Sequence, residues 1–468
     1  MKNAIFTAAA IGLMMNIAPT SANAAHPELA KLGRIQFTAP KVPRYQLDNG
    51  MVVYLVKDNT LPIVHVSAFL KTGSAYDPAD KAGLAQMTVA LIRDGGTAKY
   101  KAEELDRTLE YLGATIETGA YTEESHADMT ALKKDTDKVL DIYAEVLRNP
   151  VFEPAKVAIT RDEMLEIVRR RNDNPAKAAV REARRMYFGA GHPYGRRQEL
   201  ASLNAITGGD LAAFHAAYFK PNNVILAVSG DFASDEEMLG KLKAVFGDWK
   251  RGDVAAPVIP PPAFSGGRKI YMVDKDVSQV SIAVEQKGLP RVDPENFPLS
   301  LATDIMGGGF QSRLFTEVRT KRGLAYVADS YAYTLSKEGF IATFCGTKAE
   351  TYSQALSEML KQFGTIGKEP VTAEELERSK GSIINPFVFK FSTPQKLAIE
   401  RATEEFYGFP KTYLDNYVED ISKVTAADVQ KAGRLYDPDN IVIYVVGNAR
   451  KFDKPLSEFG DVNVVAQD

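Results

Sequence analysis

The sequence predicts an α+β protein built from two similar α/β sandwich halves, in which helices cover a sheet. Three observations lead to this class. Strands, a block of helices and further strands follow in that order, a proline-rich segment divides the chain, and both halves end in the same pattern. The composition agrees, because 45% hydrophobic and 25% charged residues are ordinary globular values that exclude a disordered chain or a coiled coil.

The first half places two strands before a block of helices. Asp48-Asn49-Gly50 is a turn signal, so strands are expected at 51–57 and 63–71. The hydrophobic periodicity predicts helices at 81–93, 101–112, 134–148, 155–171, 176–188 and 208–218. The second half is expected to repeat this order, with a helix at 311–321 and strands near 269–274, 278–286, 324–334 and 339–346.

A linker and a repeated ending divide the chain. Residues 251–267, RGDVAAPVIPPPAFSGG, hold four prolines and three glycines, which favour an extended path without ladder hydrogen bonds. Segments 206–230 and 424–447 share a capping threonine, a short helix, a proline turn and a strand. The matched residues are Thr207 and Thr425, Asp210 and Asp428, Tyr218 and Tyr436, Pro221 and Pro438, and Gly230 and Gly447. An internal duplication is therefore expected, with domains at 25–250 and 268–468.

The N-terminus predicts export. A lysine, an apolar run over 4–18 and the Ala-x-Ala at 22–24 are typical of a secretory signal peptide over 1–24, cleaved after Ala24. The alternative is a buried N-terminal helix. The run is too short to span a membrane, and no later segment is long and apolar enough. We expect an exported protein without a membrane span, most simply in a bacterial periplasm.

Charge and cysteine content exclude other classes. The chain has 57 basic and 60 acidic residues, a net charge of −3, so nothing favours a nucleic-acid partner. Its one cysteine, Cys345, excludes an internal disulfide framework and a multi-cysteine zinc site. The sequence on these grounds predicts neither a DNA-binding protein nor a disulfide-stabilised one.

Motifs at separated places resemble one family. They are LDNGMVVYLVKDNTLPIVHVSAFLKTGSAYD, KAGLAQMTVALIRDGGT, RRRNDNPAKAA, GHPYG, FKPNNVILAVSGD and IMGGGFQSRLFTEVRTKRGLAY. In order and spacing the chain resembles the insulinase (pitrilysin) family of inverted H-x-x-E-H zinc metallopeptidases, which includes the mitochondrial processing peptidase. The resemblance covers about 44 to 450 and implies two processing-peptidase-like domains forming half of a clamshell.

The zinc motif of that family is degenerate in this chain. After Gly83-Leu84-Ala85 the two histidine positions hold Gln86 and Ala90, and the glutamate position holds Val89. The resemblance places the third ligand at Ile167, or at Glu166 if the register slips by one. Because valine and alanine offer no lone pair and an amide is a poor zinc ligand, we expect no metal and no cofactor in this chain.

The second half keeps a pair of residues that the resemblance implies is functional. Arg319 lies in the last turn of the helix at 311–321, Gly323 follows that helix, and Tyr326 begins the next strand. In the family, an arginine and a tyrosine at this spacing face the zinc, where they bind substrate carbonyls and stabilise the oxyanion. The structural alternative is that Arg319 caps the helix and Tyr326 is ordinary packing.

These features together predict a division of labour between two chains. This chain is expected to be inactive alone and to pair with a homologous H-x-x-E-H subunit that carries the zinc, forming a heterodimeric metallopeptidase that degrades peptides or unfolded polypeptides. One alternative is a catalytically inert peptide-binding or scaffold homologue. Another is an independent enzyme with unrelated chemistry, which no Ser/His/Asp or Cys/His arrangement supports.

Overall fold

The computed structural model describes residues 37–466. The signal peptide expected at 1–24, and with it the alternative of an N-terminal helix, lies outside the described residues. Within 37–466, no helix has both the length and the apolar character that crossing a membrane requires.

The first half contains the strands expected at 51–57, at 63–71 and at the end of segment 206–230, and all six expected helices agree in their bounds to within a turn. In chain order its elements are β1 (Arg44–Gln46), β2 (Val52–Lys57), β3 (Ile63–Leu70), α1 (Leu84–Asp94), α2 (Ala102–Leu112), β4 (Thr115–Ala120), β5 (Ser125–Leu132), α3 (Thr136–Arg148), α4 (Pro154–Arg169), α5 (Pro175–Phe188), α6 (Leu200–Ala205), α7 (Gly208–Tyr218), β6 (Val224–Gly230) and α8 (Asp235–Phe246).

The second half contains the four expected strands and repeats the order of the first. Its elements are β7 (Lys269–Asp274), β8 (Val280–Lys287), α9 (Asn296–Gly307), a π-helix termed π1 (Phe315–Thr320), β9 (Ala325–Thr334), β10 (Gly339–Thr347), α10 (Tyr352–Ile366), α11 (Ala373–Phe387), α12 (Pro394–Phe406), α13 (Tyr413–Lys423), α14 (Ala426–Gly433), β11 (Val442–Gly447) and β12 (Val462–Val464).

Each half carries a six-stranded mixed sheet, and five strands of each sheet follow the same plan. The orders are β1-β2-β6-β3-β5-β4 and β12-β7-β11-β8-β10-β9. The pair β2–β6 is parallel and β6–β3 antiparallel, and likewise β7–β11 is parallel and β11–β8 antiparallel. This shared topology confirms the α+β class with two homologous sandwich halves, and it leaves β4 and β9 as edge strands.

The matched endings of the two halves fold alike. Thr207 and Asp210 form a capping box at the start of α7, in which each side chain bonds the backbone of the other, and Thr425 and Asp428 form the same box at α14. A fully buried strand follows in both cases, β6 and β11. Both strands occupy central places in their sheets, which explains their unbroken apolar sequences.

One face of each sheet packs on helices of its own half. Alternate residues of β3, Val64, Val66 and Ala68, join the first core, and alternate residues of β8, Ile282 and Val284, join the second. In each half, every second residue of these strands is apolar and packs against the helices that cover this face of the sheet.

The opposite face of each sheet packs on a helix of the other half. Helix α5 lies against the second sheet, where its Ala179 and Ala183 contact a face containing Ala283 and Tyr444. Helix α12 lies against the first sheet, with Ala398, Ala402 and Phe406 packed on β2 and β6, as well as on Phe69 of β3. The two halves therefore exchange helices.

Residues 251–267 contain no helix or strand and run along the end of α5. The N–H groups of Ala263 and Phe264 donate to the carbonyls of Phe188 and Tyr187, each at 3.0 Å. His192 Nε2 bonds the carbonyl of Pro260 at 2.7 Å. The segment is held by backbone hydrogen bonds, while the domain limits 25–250, 251–267 and 268–468 remain predictions.

We expect Phe406→Ala to lower the free energy of unfolding by about 3–5 kcal/mol, because the truncation leaves a cavity between α12 and the first sheet. Phe406 is buried and lies 6.0 Å, centroid to centroid, from Phe69. Urea unfolding would measure the change. The matched control is Phe389→Ala, since Phe389 is 66% exposed and should change stability by less than about 0.5 kcal/mol. Equal losses in the two variants would contradict the packing described.

We expect Glu285→Gln to remove a pH dependence of stability. Glu285 lies on the face of β8 that α5 covers, its carboxylate accepts no hydrogen bond from the described residues, and Arg184 Nε is 4.0 Å away. Burial raises the pKa of Glu285 to about 8. The native state therefore keeps a proton that the unfolded state loses above about 4.5, so stability falls as pH rises towards 8.

Urea unfolding of wild type and Glu285→Gln at several pH values would test this. The wild type should lose on the order of a few kcal/mol relative to the variant between about pH 4.5 and 8. Parallel stability curves would show that Glu285 does not keep its proton.

Candidate functional site

A buried aspartate that precedes helix α1 accepts hydrogen bonds from backbone N–H groups at the start of that helix. Asp77 accepts hydrogen bonds from the backbone N–H groups of Gly83 at 2.8 Å and Ala85 at 2.7 Å. Burial raises the pKa of Asp77 to about 7, although both hydrogen bonds act against that rise. Gly83 adopts a left-handed φ of 107°, so glycine suits the turn into the helix. These contacts set the position at which α1 starts.

The three degenerate zinc positions lie on α1, but their environments differ. Gln86 is exposed, Ala90 one turn later is half-buried, and Val89 is 1% exposed within the first core. The hydroxyl of Thr118 donates to the carbonyl of Val89 at 2.8 Å. Since Thr118 belongs to β4, this face of α1 lies beside the edge strand of the first sheet.

Helix α4 packs against α1 but presents no metal ligand at the expected place. Leu165 and Val168 of α4 pack with Leu84 and Met87 of α1 in one apolar cluster. Ile167 points away from that cluster and is 61% exposed.

The nearest carboxylate, Glu166, is engaged on the surface of α4. Its Oε1 lies 2.5 Å from Arg170 Nε, and its Oε2 lies 3.6 Å from Arg169. If the third ligand position is Glu166 instead of Ile167, its carboxylate is already paired with two arginines.

The residues at this position do not fit a zinc ion. Zinc needs imidazole, thiolate or carboxylate ligands, and catalytic sites take three of them from the protein. Gln86, Ala90 and Ile167 supply one amide and two hydrocarbon side chains. In the described part of the chain, no group of three or more His, Cys, Asp or Glu side chains is arranged to hold a metal ion.

The histidines of the described chain do not form part of a metal-binding group. His215 bonds the carbonyl of Leu147 at 2.9 Å, and burial lowers the pKa of its imidazole to about 4. His192 bonds the carbonyl of Pro260, and His65 bonds the hydroxyl of Thr130 at 3.0 Å. These imidazoles have roles in the local hydrogen bonding of loops and strands.

The helix expected at 311–321 has a different form. It begins at Arg313 and runs as the π-helix π1 over Phe315–Thr320, so the expected helix is present but its turns are wider than those of an α-helix. The N–H of Lys321 donates to the carbonyl of Thr316, five residues back, at 2.9 Å. A 3.6-residue apolar period cannot distinguish this wider turn, because its buried anchors, Leu314 and Val318, are still four residues apart.

Arg319 lies at the exposed end of π1. Its guanidinium is placed over the ring of Phe315, 4.6 Å from the centroid, and none of the hydrogen bonds or ion pairs of residues 37–466 involves it. The carbonyl of Arg319 accepts from the N–H of Gly323 at 2.9 Å, and Gly323 has the left-handed φ of 63° expected after a helix end. The cation is thus presented to solvent rather than used as a helix cap.

Tyr326 lies at an irregularity in the edge strand β9. In the pairing with β10, Ala325 is opposite Thr347 and Val327 is opposite Gly346, so Tyr326 is the extra residue of a β-bulge. Tyr326 is 49% exposed and Val327 39% exposed. The bulge turns both side chains outward, whereas regular alternation would bury one of them.

The backbone brings the segments of Arg319 and Tyr326 together, although the two side chains do not hydrogen-bond to each other. The N–H of Leu324 donates to the carbonyl of Val318 at 2.9 Å, which folds the start of β9 against π1. The π-turn and the bulge are the two local irregularities that expose the pair, and neither is visible in the sequence pattern.

Sequence reasoning missed one further residue on the same surface. Asp329 lies on β9 with its side chain on the outward face, as strand alternation from Val327 requires. Burial alone raises the pKa of its carboxyl to about 6. The alternation of tyrosines at 331 and 333 could have indicated this face, but the bulge at Tyr326 shifts the alternation by one residue.

Two family descriptions match the chain. "Insulinase (Peptidase family M16)" matches residues 52–198, and "Peptidase M16 inactive domain" matches residues 205–383. An uncharacterized zinc protease of Bacillus subtilis, YmxG, is 23% identical over 400 residues, which cover 84% of this chain and 95% of that protein. The two matches together span most of both halves.

Solved structures share the fold. A peptidase M16 inactive domain from Pseudomonas fluorescens is 27% identical, with a TM-score of 0.81, and the match covers 89% of this chain and 100% of that one. A protease from Helicobacter pylori has the same fold at 21% identity, with a TM-score of 0.79, covering 87% of this chain and 100% of that one.

If the register of the degenerate motif is right, three substitutions should create a zinc site. We expect Gln86→His, Ala90→His and Ile167→Glu together to bind about one zinc per chain, because two imidazoles one turn apart and a carboxylate form a known catalytic ligand set. Calorimetric titration with zinc would measure this. The matched control lacks only Ile167→Glu and should bind roughly 100-fold more weakly. Equal affinity in the two variants would show that Ile167 is not at the third position.

Proposed function

Since the chain belongs to the insulinase family, peptidase family M16, we propose that it is the zinc-free subunit of a two-chain metallopeptidase that degrades peptides. In this proposal a homologous subunit carries the H-x-x-E-H motif and the zinc ion with the water that it activates. This chain supplies Arg319 and Tyr326 to the shared site. Alone, it does not hydrolyse peptides.

The observation that carries the proposal is the contrast between the two candidate sites. Gln86, Val89 and Ala90 cannot act as zinc ligands and a base. Arg319 and Tyr326 are both exposed, and no hydrogen bond within residues 37–466 occupies either side-chain donor. The π-helix and the β-bulge present these two side chains with their hydrogen-bond donors unused within the described chain. Such donors are available to bind another molecule at a shared site.

The chemistry of the two side chains suits binding of a peptide carbonyl. Arg319 carries a permanent positive charge and several N–H donors, and Tyr326 carries one O–H donor. Donors placed at the scissile carbonyl hold it in position and stabilise the negative charge that develops on its oxygen. Stacking of Arg319 on Phe315 restricts the guanidinium before substrate binds, which lowers the entropy cost of using it.

A second candidate function is peptide binding without hydrolysis. The observation that favours it is the pair of edge strands, β4 and β9, which lie at the ends of the two sheets. An edge strand can bind an extended peptide through its backbone alone. The exposure of Arg319 beside Tyr326 favours the catalytic pair over this alternative, since binding to a strand edge needs neither side chain.

The proposed site of action is outside the cytoplasm. The expected signal peptide over 1–24, cleaved after Ala24, supports export, with the bacterial periplasm as the compartment. Peptides and unfolded polypeptides are the proposed substrates, because an extended backbone is what a strand edge and a pair of carbonyl-binding donors recognise.

We expect Arg319→Ala and Tyr326→Phe each to lower kcat of the reconstituted pair by about 10²–10³, because each removes a donor to the developing oxyanion. The measurement is hydrolysis of a fluorogenic peptide by this chain mixed with its zinc-carrying partner, found by pull-down from the exported fraction of the host. Arg322→Ala is the matched control, since Arg322 pairs with Glu317 at 2.7 Å and lies outside the pair.

Three results would overturn the proposal. Arg319→Ala and Tyr326→Phe could leave hydrolysis unchanged, the isolated chain could hydrolyse the peptide at the rate of the mixture, or pull-down could yield no homologous partner. If the pull-down yields no homologous partner and the isolated chain still binds peptides, the second candidate function, peptide binding without hydrolysis, would be favoured.

A further inference from the structure

The outward face of β9 carries one carboxylate among exposed apolar and aromatic side chains. Tyr331 is 51% and Tyr333 45% exposed, and Asp329 lies between Val327 and Tyr331 on the same face. The intervening residues face the other way. Ala328 packs in the core, and the hydroxyl of Ser330 bonds that of Tyr436 at 2.7 Å.

Asp329 has no partner for its charge within the described residues. None of the ion pairs or side-chain hydrogen bonds in that part of the chain involves its carboxylate. Across the sheet it is opposite Phe344 of β10, which is apolar. Its neighbours therefore remove water without supplying a cation, which is why burial raises its pKa and no charge opposes the rise. A cation brought from outside would relieve this cost.

The backbone beside Asp329 is available for pairing. β9 is the last strand of its sheet, and β10 is its one strand neighbour among the described elements. A peptide added to this edge as a strand would place every second side chain on the outward face, directly beside Asp329 or Tyr331. The bulge at Tyr326 interrupts regular pairing at the other end of the strand.

We propose that the free edge of β9 binds an extended peptide whose lysine or arginine side chain pairs with Asp329 and packs against the ring of Tyr331. This face and a basic side chain are complementary in charge, because the unpaired carboxylate and the exposed aromatic ring together attract a cation. This assignment rests on the proposed function and makes basic peptides its substrate class, bound along β9 beyond the bulge at Tyr326.

The test measures peptide binding by the full mature chain alone. The probes are a short labelled peptide rich in threonine and valine with one central lysine, and a twin with norleucine in place of lysine. Fluorescence anisotropy should show the lysine peptide binding about tenfold tighter than its twin. Asp329→Asn should reduce this preference to less than about twofold, and Asp329→Glu should keep part of it.

The matched control is Asp439→Asn, which removes the same charge from the loop before β11. Asp439 pairs with Arg268 at 2.8 Å, and β11 is separated from β9 by β8 and β10. This variant should keep the tenfold preference. N-methylation of alternate peptide nitrogens should weaken both probes alike, because it removes hydrogen bonds to the strand edge.

The preference should also depend on pH in a known direction. The carboxyl of Asp329 is charged above a pKa of about 6, so the preference for lysine should grow as pH rises from about 5 to 7.5. Tyr331 and Cys345 interact with the charge of Asp329, and each has a raised pKa and stays neutral over this range. Asp329→Asn should show no such rise.

Equal affinity for the two probes in wild type, or an unchanged preference in Asp329→Asn, would overturn the inference. Because this assay needs neither zinc nor a partner, its failure differs from failure of the proposed function. If Asp329→Asn abolishes the lysine preference of the wild type but hydrolysis is insensitive to Arg319→Ala, the basic-peptide site stands and the catalytic pair is ruled out.

Discussion

The exchange of helices between the halves is the constraint on which the rest of the structure depends. α5 covers the second sheet and α12 covers the first, so neither sheet has both faces protected by its own half. Hydrogen bonds also hold α12 on the first sheet. Glu405 of α12 accepts from Arg44 Nε at 2.6 Å and from the hydroxyl of Tyr54 at 2.6 Å. Folding of either half is therefore tied to the presence of the other.

A partly buried polar network also joins the two halves. Glu123 of the β4–β5 turn accepts from Arg291 at 3.0 Å and from the hydroxyl of Tyr194 at 2.5 Å, as well as from the N–H of Ser336 in the β9–β10 turn. Arg291 also lies 4.1 Å from the centroid of Tyr407. The hairpins that carry the two edge strands are thus joined, which fixes β4 and β9 relative to each other.

The candidate positions of the two halves have different surroundings. Val89 belongs to the first core, so its apolar side chain contributes to the packing of α1 there. Arg319 and Tyr326 contribute little to any core, since both are exposed on irregular backbone. Both side chains are therefore accessible to another molecule.

The sequence by itself determined the strands β2, β3, β6 and β7–β11, most helices of the first half and the duplication, because these depend on local apolar periods, caps and motif spacing. It did not indicate β4 and β5. Thr207 and Thr425 cap their helices as their sequence contexts indicate. The exchange of α5 and α12, the π-turn before Arg319 and the bulge at Tyr326 were decided by the tertiary structure. The exchange depends on which distant surfaces pack together, and the π-turn and the bulge depend on where a backbone hydrogen bond shifts by one residue. The same apolar periods are compatible with a regular helix and a regular strand at these places.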